Sequence, residues 1–389
     1  MRKPGHGRAP KETDVTHPVA AGTNSLLLSS AEVAEVAARY AADAERDRSL
    51  PKEVVEALLA AGFARHFVPI RHGGPAGRFG DLIDALLTVA EECTSAAWCG
   101  MIFATSARMA GYLPEEAQRE IWDGGPDVPM AAAFVPSGDV RRDPAGWRLT
   151  GEWRFLSGVD HADWALLCGT MPVDGRPVRR FFAVPRRDYR IKDVWFTVGM
   201  RGTGSNAVVL DDVRVPRHRS FDDGALMNGQ GGNPESPCHE VPLLAVAAPL
   251  FAAPAVGAAH GALRRWSQPA GDRGGHGRPA AHDPRSRETL TRSAAEADIA
   301  RLLLERAGQA ADLGAVTHGL AVRNARDAAV AAELAVSVVD RLFRAGGTGA
   351  QTETNPLQRS WRDVFAVASH AALRFDRNSD HFARHVWGG

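Results

Sequence analysis

A chain of 389 residues is long enough for two or three packed domains, and its 46 Lys+Arg against 46 Asp+Glu leave a formal net charge of zero. With no basic stripe along it, nucleic acid and anionic membranes are poor partners. Cys93, Cys99, Cys168 and Cys238 lie far apart, without CxxC spacing or a matched histidine pair, so they read as reduced, buried thiols of a cytoplasmic protein with no metal site.

The N-terminal run Met1 to Arg8 is basic but leads into no apolar stretch, which excludes a secretory signal, and residues 1–28 are expected to be a disordered tail. Ser29-Ser30-Ala31-Glu32 matches a capping box, with Val33, Val36, Ala37, Tyr40 and Ala41 following at helical spacing. A second helix is expected from Pro51 to Gly62, and a helical pair from Phe79 to Cys93 and from Ala96 to Tyr112. Residues 29–125 thus form a helical domain.

From residue 126 to 222 the texture changes to short apolar or alternating runs separated by Gly, Pro and Asp, which predicts a β domain. Residues 223–389 return to helix, with long segments over 241–268, 286–312, 316–345 and 357–376. The first of these carries no charge for nineteen residues, 241–259, but holds Pro242, Pro249 and Pro254 and is mostly alanine, which favours a buried helix over a membrane span. Between the first two lies a flexible connector, 269–279; its His276, with His282 just beyond, is expected to be solvated.

Near the end, Gly346-Gly347-Thr348-Gly349 precedes Asn355-Pro356-Leu357-Gln358-Arg359-Ser360-Trp361-Arg362-Asp363, a helix opened by proline at its first turn and leading to His370. This pattern resembles the C-terminal domain of the acyl-CoA dehydrogenase superfamily of flavoproteins. The resemblance runs over nearly the whole chain from about residue 30. It implies a mainly α fold with a central β-barrel between an N-terminal helical domain and a C-terminal four-helix bundle. Many of those dehydrogenases carry a Tyr-Glu-Gly element whose glutamate is the base. Here that element falls on His370-Ala371-Ala372, which points to the two-component flavin-dependent monooxygenase branch.

The resemblance also implies a place for individual residues around a flavin. At the strand end Gly151-Glu152-Trp153-Arg154-Phe155-Leu156-Ser157-Gly158, Phe155 and Leu156 would border the flavin and Ser157 would hydrogen-bond near its N5; taken alone, such a serine satisfies a local turn. Phe134, in Ala131-Ala132-Ala133-Phe134, would border the ring, though a core phenylalanine looks the same. The segment Trp195-Phe196-Thr197-Val198-Gly199-Met200-Arg201-Gly202-Thr203-Gly204-Ser205 is characteristic of the monooxygenase branch and offers Arg201, Thr203 and Ser205. Gly346 and Gly347 would approach the flavin phosphate of a neighbouring subunit. Trp98 would line the substrate pocket, and His161 would support the Ser157 turn.

The implied reaction is hydroxylation of an aromatic, phenolic or polyketide-like substrate through a C4a-hydroperoxyflavin, in which a fixed hydrogen bond at N5 in a dry pocket delays loss of peroxide. His370 would take the phenolic proton or orient the substrate. Molecular oxygen and reduced FMN or FAD are the cosubstrates. No G-x-G-x-x-G stands between a strand and a helix, so the reduced flavin would come from a separate NAD(P)H:flavin reductase. A homotetramer or homodimer is expected. Phe365 and Ala372 stand where several phenol-hydroxylating relatives carry histidine and tyrosine, which keeps N- or S-oxygenation open, and an acyl-CoA dehydrogenase with its base on another helix is the third alternative.

Overall fold

The computed structural model describes residues 25–173, 176–232, 235–268 and 283–388. The expected tail up to residue 24 and the connector with His276 and His282 lie outside the described residues. Helix α1 (Ser25–Asp47) starts ahead of the capping box, which therefore sits inside it. Ser30 Oγ donates to the Leu27 carbonyl at 2.7 Å, the back-bond of a serine within a helix. Leu26 is buried, so the first turn has an apolar anchor and the helix extends to include it.

Helix α2 (Lys52–Ala61) follows Pro51 and stops at Gly62, whose positive φ closes the last turn. The pair α3 (Phe79–Ala90) and α4 (Thr94–Ala110) and the short α5 (Glu115–Trp122) complete the N-terminal helices.

The barrel consists of two four-stranded sheets. Strands β1 (Met130–Ala133), β4 (Trp164–Val173), β5 (Arg176–Pro185) and β8 (Ser220–Asp222) are ordered β1-β4-β5-β8. Strands β2 (Asp139–Asp143), β3 (Gly146–Leu156), β7 (Asn206–Pro216) and β6 (Arg190–Lys192) are ordered β2-β3-β7-β6. Along β4 and β5 the side chains alternate between two cores. Leu166, Cys168, Phe181 and Ala183 join α4 and α5, while Ala165, Leu167, Phe182 and Val184 meet Leu149, Trp153 and Val208 of the second sheet. Burial on both faces is why these strands read as unbroken apolar runs.

After the short α6 (Gly224–Asn228) come α7 (Leu243–Ser267), α8 (Pro284–Asp312), α9 (His318–Ala345), α10 (Pro356–Ala368) and α11 (Phe375–Trp387). Helix α7 is long and apolar enough to cross a membrane, yet most of it is buried here against α3, α8, α9 and α10. A Cβ at its Gly261 would lie 2.0 Å from the Glu91 carbonyl oxygen, so glycine sets how closely α7 approaches the end of α3. The buried Asn324 of α9 donates to the carbonyls of Ala245 and Ala307, both at 3.1 Å, tying α7, α8 and α9 together.

One expected helix divides in two. The segment 357–376 breaks after α10, because His370 is extended and caps a 3-10 turn, Ala371–Leu373, before α11 begins. At the other end of α10 the expected cap is present, with Asn355 Oδ1 accepting from Leu357 N at 2.9 Å and Pro356 in the first turn.

Candidate active site

Strand β3 ends in an irregularity that aims its last residues. The β3–β7 register slips between Trp153 and Leu156, and within that bulge Phe155 takes φ +68°. A bulky residue in the left-handed region is strained, and such strain is retained where surrounding structure or function imposes it. Its consequence is that the Phe155 ring stands 61% exposed, edge-on to Trp195 at 6.3 Å. Leu156, next to it, turns fully into the core between the sheets. Its side chain is therefore withdrawn from any ligand, leaving only its backbone to border one.

Ser157 lies in a buried polar chain. The Trp98 indole of α4 donates to Ser157 Oγ at 2.9 Å; Ser157 and Ser205 hydroxyls are 2.6 Å apart, and Ser205 and Thr203 2.7 Å. Thr203 Oγ1 donates to the Met200 carbonyl at 2.8 Å. The backbone reinforces this, as Gly158 N donates to the Thr203 carbonyl at 2.8 Å. His161 closes the turn, its N–H donating to the Gly158 carbonyl at 3.1 Å while its ring meets Ser49 at 3.2 Å.

Trp98 also faces His370. The two rings meet edge-on with centroids 5.6 Å apart, and Phe251 of α7 packs on both, 5.2 Å from Trp98 and 4.1 Å from His370. Burial in this aromatic wall lowers the imidazole pKa from 6.5 to about 4, so the ring is neutral near pH 7. Ala372 N donates to His370 Nδ1 at 3.3 Å, which assigns the lone pair to Nδ1 and the proton to Nε2.

The loop carrying Met200, Thr203 and Ser205 is pinned to the bundle. Asp363 of α10 accepts from Met200 N at 2.6 Å, and burial pushes its carboxyl up to about 6. A Cβ at Gly199 would lie 2.3 Å from the Arg362 carbonyl oxygen, so glycine lets the loop cross α10 at this distance. Arg362 holds Glu45 at 2.7 Å and the Val198 carbonyl.

The other expected site residues lie apart from this chain. Arg201 turns toward α1, donating to the Glu45 carbonyl at 3.1 Å. Phe134 packs edge-on against Phe181 at 5.3 Å in the helix-facing core, the core role its surroundings allowed. Gly346 and Gly347 form an exposed turn after α9; a Cβ at Gly347, φ +59°, would meet nothing within 4 Å among the described residues. Two residues escaped the sequence. Phe251 had a weak signal as the lone aromatic in the uncharged run, and Asp363 stood inside the Arg-Asp motif without a role.

Comparison with known proteins follows the same lines. Residues 249–375, which include Phe251, Asp363 and His370, match the family model of the acyl-CoA dehydrogenase C-terminal domain. The chain is 34% identical over 346 residues to the flavin-dependent monooxygenase oxygenase subunit HsaA of Rhodococcus jostii, covering 85% of this chain and 90% of that one. The chain belongs to the oxygenase components of flavin-dependent monooxygenases with the acyl-CoA dehydrogenase fold. The FADH(2)-dependent resorcinol hydroxylase oxygenase component of a Rhizobium species is 32% identical over 89% of this chain and 90% of its own. The crystal structure of HsaA from M. tuberculosis superposes with a TM-score of 0.87 at 31% identity, covering 94% of this chain and 97% of that one.

For a flavin-dependent oxygenase, the chain must offer a flat apolar surface with a polar group at its edge. Phe155 supplies an exposed aromatic face edge-on to Trp195, and Ser157 supplies a hydroxyl with two of its three hydrogen-bonding positions taken by Trp98 and Ser205. These residues fit a flavin ring.

Proposed function

We propose that this chain hydroxylates a phenolic aromatic substrate, using molecular oxygen and reduced FMN or FAD delivered by a separate NAD(P)H:flavin reductase. Reduced flavin, when bound, supplies two electrons and activates oxygen for transfer to the ring. The observation that carries this reading is the Trp98 indole, which bonds Ser157 on one side and meets His370 on the other. It joins a hydroxyl suited to the flavin edge to an imidazole suited to a substrate oxygen.

In this proposal Phe155 bears the flavin ring, Ser157 holds N5, and Trp98, Phe251 and the helices of the bundle exclude water from the reacting atoms. His370 has two candidate duties, and its chemistry favours orienting over proton removal. With the Nδ1 lone pair taken by Ala372 N, the ring presents Nε2–H, a donor. A base with a pKa near 4 is also poorly matched to a phenol of pKa ~10, a gap of roughly 6 units or ~8 kcal/mol. His370 therefore donates to the substrate oxygen and stabilises its phenolate, the proton passing to water as the anion binds.

The test supplies the purified chain with chemically reduced FMN or FAD and 18O2 in the presence of a panel of phenols, with no reductase. Mass spectrometry is expected to find one 18O atom in the product. Reduced flavin oxidised with no labelled product from any phenol, while an amine or thioether takes up the label, would replace this reading with N- or S-oxygenation.

A further inference from the structure

Helices α4 and α7 run antiparallel beside His370, and contacts at two ends fix their register. Trp98 of α4 meets Phe251 of α7 with ring centroids 5.2 Å apart. Farther along, the Arg108 guanidinium donates to the Cys238 carbonyl at 2.8 Å and to the Val241 carbonyl, in the segment leading into α7. Ten residues of α4, ~15 Å of helix, separate the two ends. The register between them sets Ile102 opposite Ala247 and Thr105 opposite Leu244. From Trp98 to Arg108, only Ile102 and Thr105 are not buried; from Leu244 to Phe251, only Leu244, Ala247 and Phe251 are not. Helical spacing puts Ile102 and Thr105 on the face of Trp98, and Leu244 and Ala247 on the face of Phe251. The open positions of both helices therefore border one seam that leads away from His370.

Between its ends this seam holds no charged side chain among the described residues. Thr105 commits its hydroxyl to the Met101 carbonyl at 2.8 Å. Arg108, the one charged residue of α4, is buried on its two carbonyls and the Tyr112 hydroxyl. Helix α7 has no Asp, Glu, Lys or Arg before Arg264. On α10, Asp363 turns to Met200 N and Arg362 to Glu45. The imidazole agrees with this inventory, because burial alone lowers its pKa and no neighbouring charge contributes.

We propose that the substrate is an uncharged, extended phenol, its hydroxyl at His370 and its apolar body along the seam, between Ile102 and Thr105 on one side and Leu244 and Ala247 on the other. The inference rests on the phenolic reading above and adds the substrate's class to it. A phenol bearing a carboxylate arm would carry an anion into this apolar seam with no free cation to meet it, and an unpaired buried charge binds poorly. A neutral fused ring or alkyl chain instead leaves water for apolar walls, which favours binding. Ile102, Thr105, Leu244 and Ala247 set specificity in this scheme without touching the flavin or the reacting atoms.

The experiment supplies the purified chain with chemically reduced FMN or FAD and oxygen, and compares kcat/KM for phenols matched in shape but not in charge. One pair is a para-alkylphenol and the same phenol ending in a carboxylate; the other is a naphthol and a hydroxynaphthoate. The neutral member of each pair is expected to be favoured by roughly 10²-fold or more. Ala247→Phe fills the seam from α7, and is expected to raise KM for the naphthol about tenfold or more while phenol itself, which stays beside His370, keeps its KM. Leu244→Ala removes apolar contact from the far half of the seam, moves the naphthol KM the same way, and carries this arm if Ala247→Phe does not fold. Equal kcat/KM within both pairs overturns the substrate class. A variant that raises KM for phenol and naphthol in equal measure overturns the placement along the seam. No product from any phenol, neutral or charged, sinks the phenolic reading, and the substrate class with it.

Discussion

Phe251 lies on His370, ring centroids 4.1 Å apart and planes 29° from parallel. This contact and the edge of Trp98 bury the imidazole and lower its pKa to about 4. Because the folded pKa lies below the unfolded value of 6.5, protonation works against the fold. The stability present above about pH 6.5 is lost as pH falls toward 4, by up to ~3 kcal/mol from this group. Phe251→Ala admits water and is expected to return the His370 titration toward 6.5, followed by the imidazole proton resonances. A midpoint still near 4 would assign the burial to Trp98 instead.

His370→Ala is expected to lower the rate of product formation by roughly 10²-fold or more, a typical worth for one positioned polar group in the transition state, with flavin affinity unchanged. The variant His370→Gln separates the two duties of the imidazole. Glutamine offers an N–H near the position of Nε2 but cannot take a proton, so a donor role predicts partial recovery over alanine. Equal loss in both variants would return the role of base to His370.

Much of this site could be read from sequence because its motifs are local. Asn355-Pro356 capped α10 as expected, and Phe155 lies at the end of β3 with Ser157 in the turn just after it. What stayed hidden depends on contacts across the chain. Phe251 touches His370 from a helix more than a hundred residues away in sequence, and no spacing rule links them. Leu156 shows a different limit: a bulge breaks the alternation of β3, so Phe155 points outward and Leu156 inward although both lie in one apolar run. The continuous helix expected through His370 failed because alanines on both sides favour helix, while the imidazole caps the following turn.

Asp363 opposes His370 in its pH dependence. Its folded pKa, about 6, is above the ordinary 3.8, so its contribution is full below about pH 4 and is lost as pH rises through 6. Asp363→Asn keeps an acceptor for Met200 N and removes that slope. The variant is expected to lose stability more steeply on acidification than wild type, because the His370 slope then stands unopposed. Asp363→Ala leaves the Met200 N–H unpaired in a buried site and is expected to cost ~1–3 kcal/mol. Urea unfolding at pH 5 and 7 measures both, and matching slopes for Asp363→Asn and wild type would remove Asp363 as the titrating group.

Trp98 and Ser157 are coupled, and a double-mutant cycle reads the coupling. Ser157→Ala strands a buried indole N–H, and Trp98→Phe removes that donor while Ser157 keeps its bond to Ser205. The serine variant alone is therefore expected to lose ~1–3 kcal/mol of stability, and combining it with Trp98→Phe to cost less than the sum of the two. Function moves differently. Either variant carrying Ser157→Ala is expected to release hydrogen peroxide in place of product, shifting the yield per flavin oxidised about tenfold or more, since the N5 contact is lost whether or not the indole is present. Peroxide and product are counted against flavin oxidised. A double variant that recovers stability but not yield would place Ser157 in the chemistry and Trp98 in its support; recovery of both would reduce Ser157 to a packing partner of Trp98.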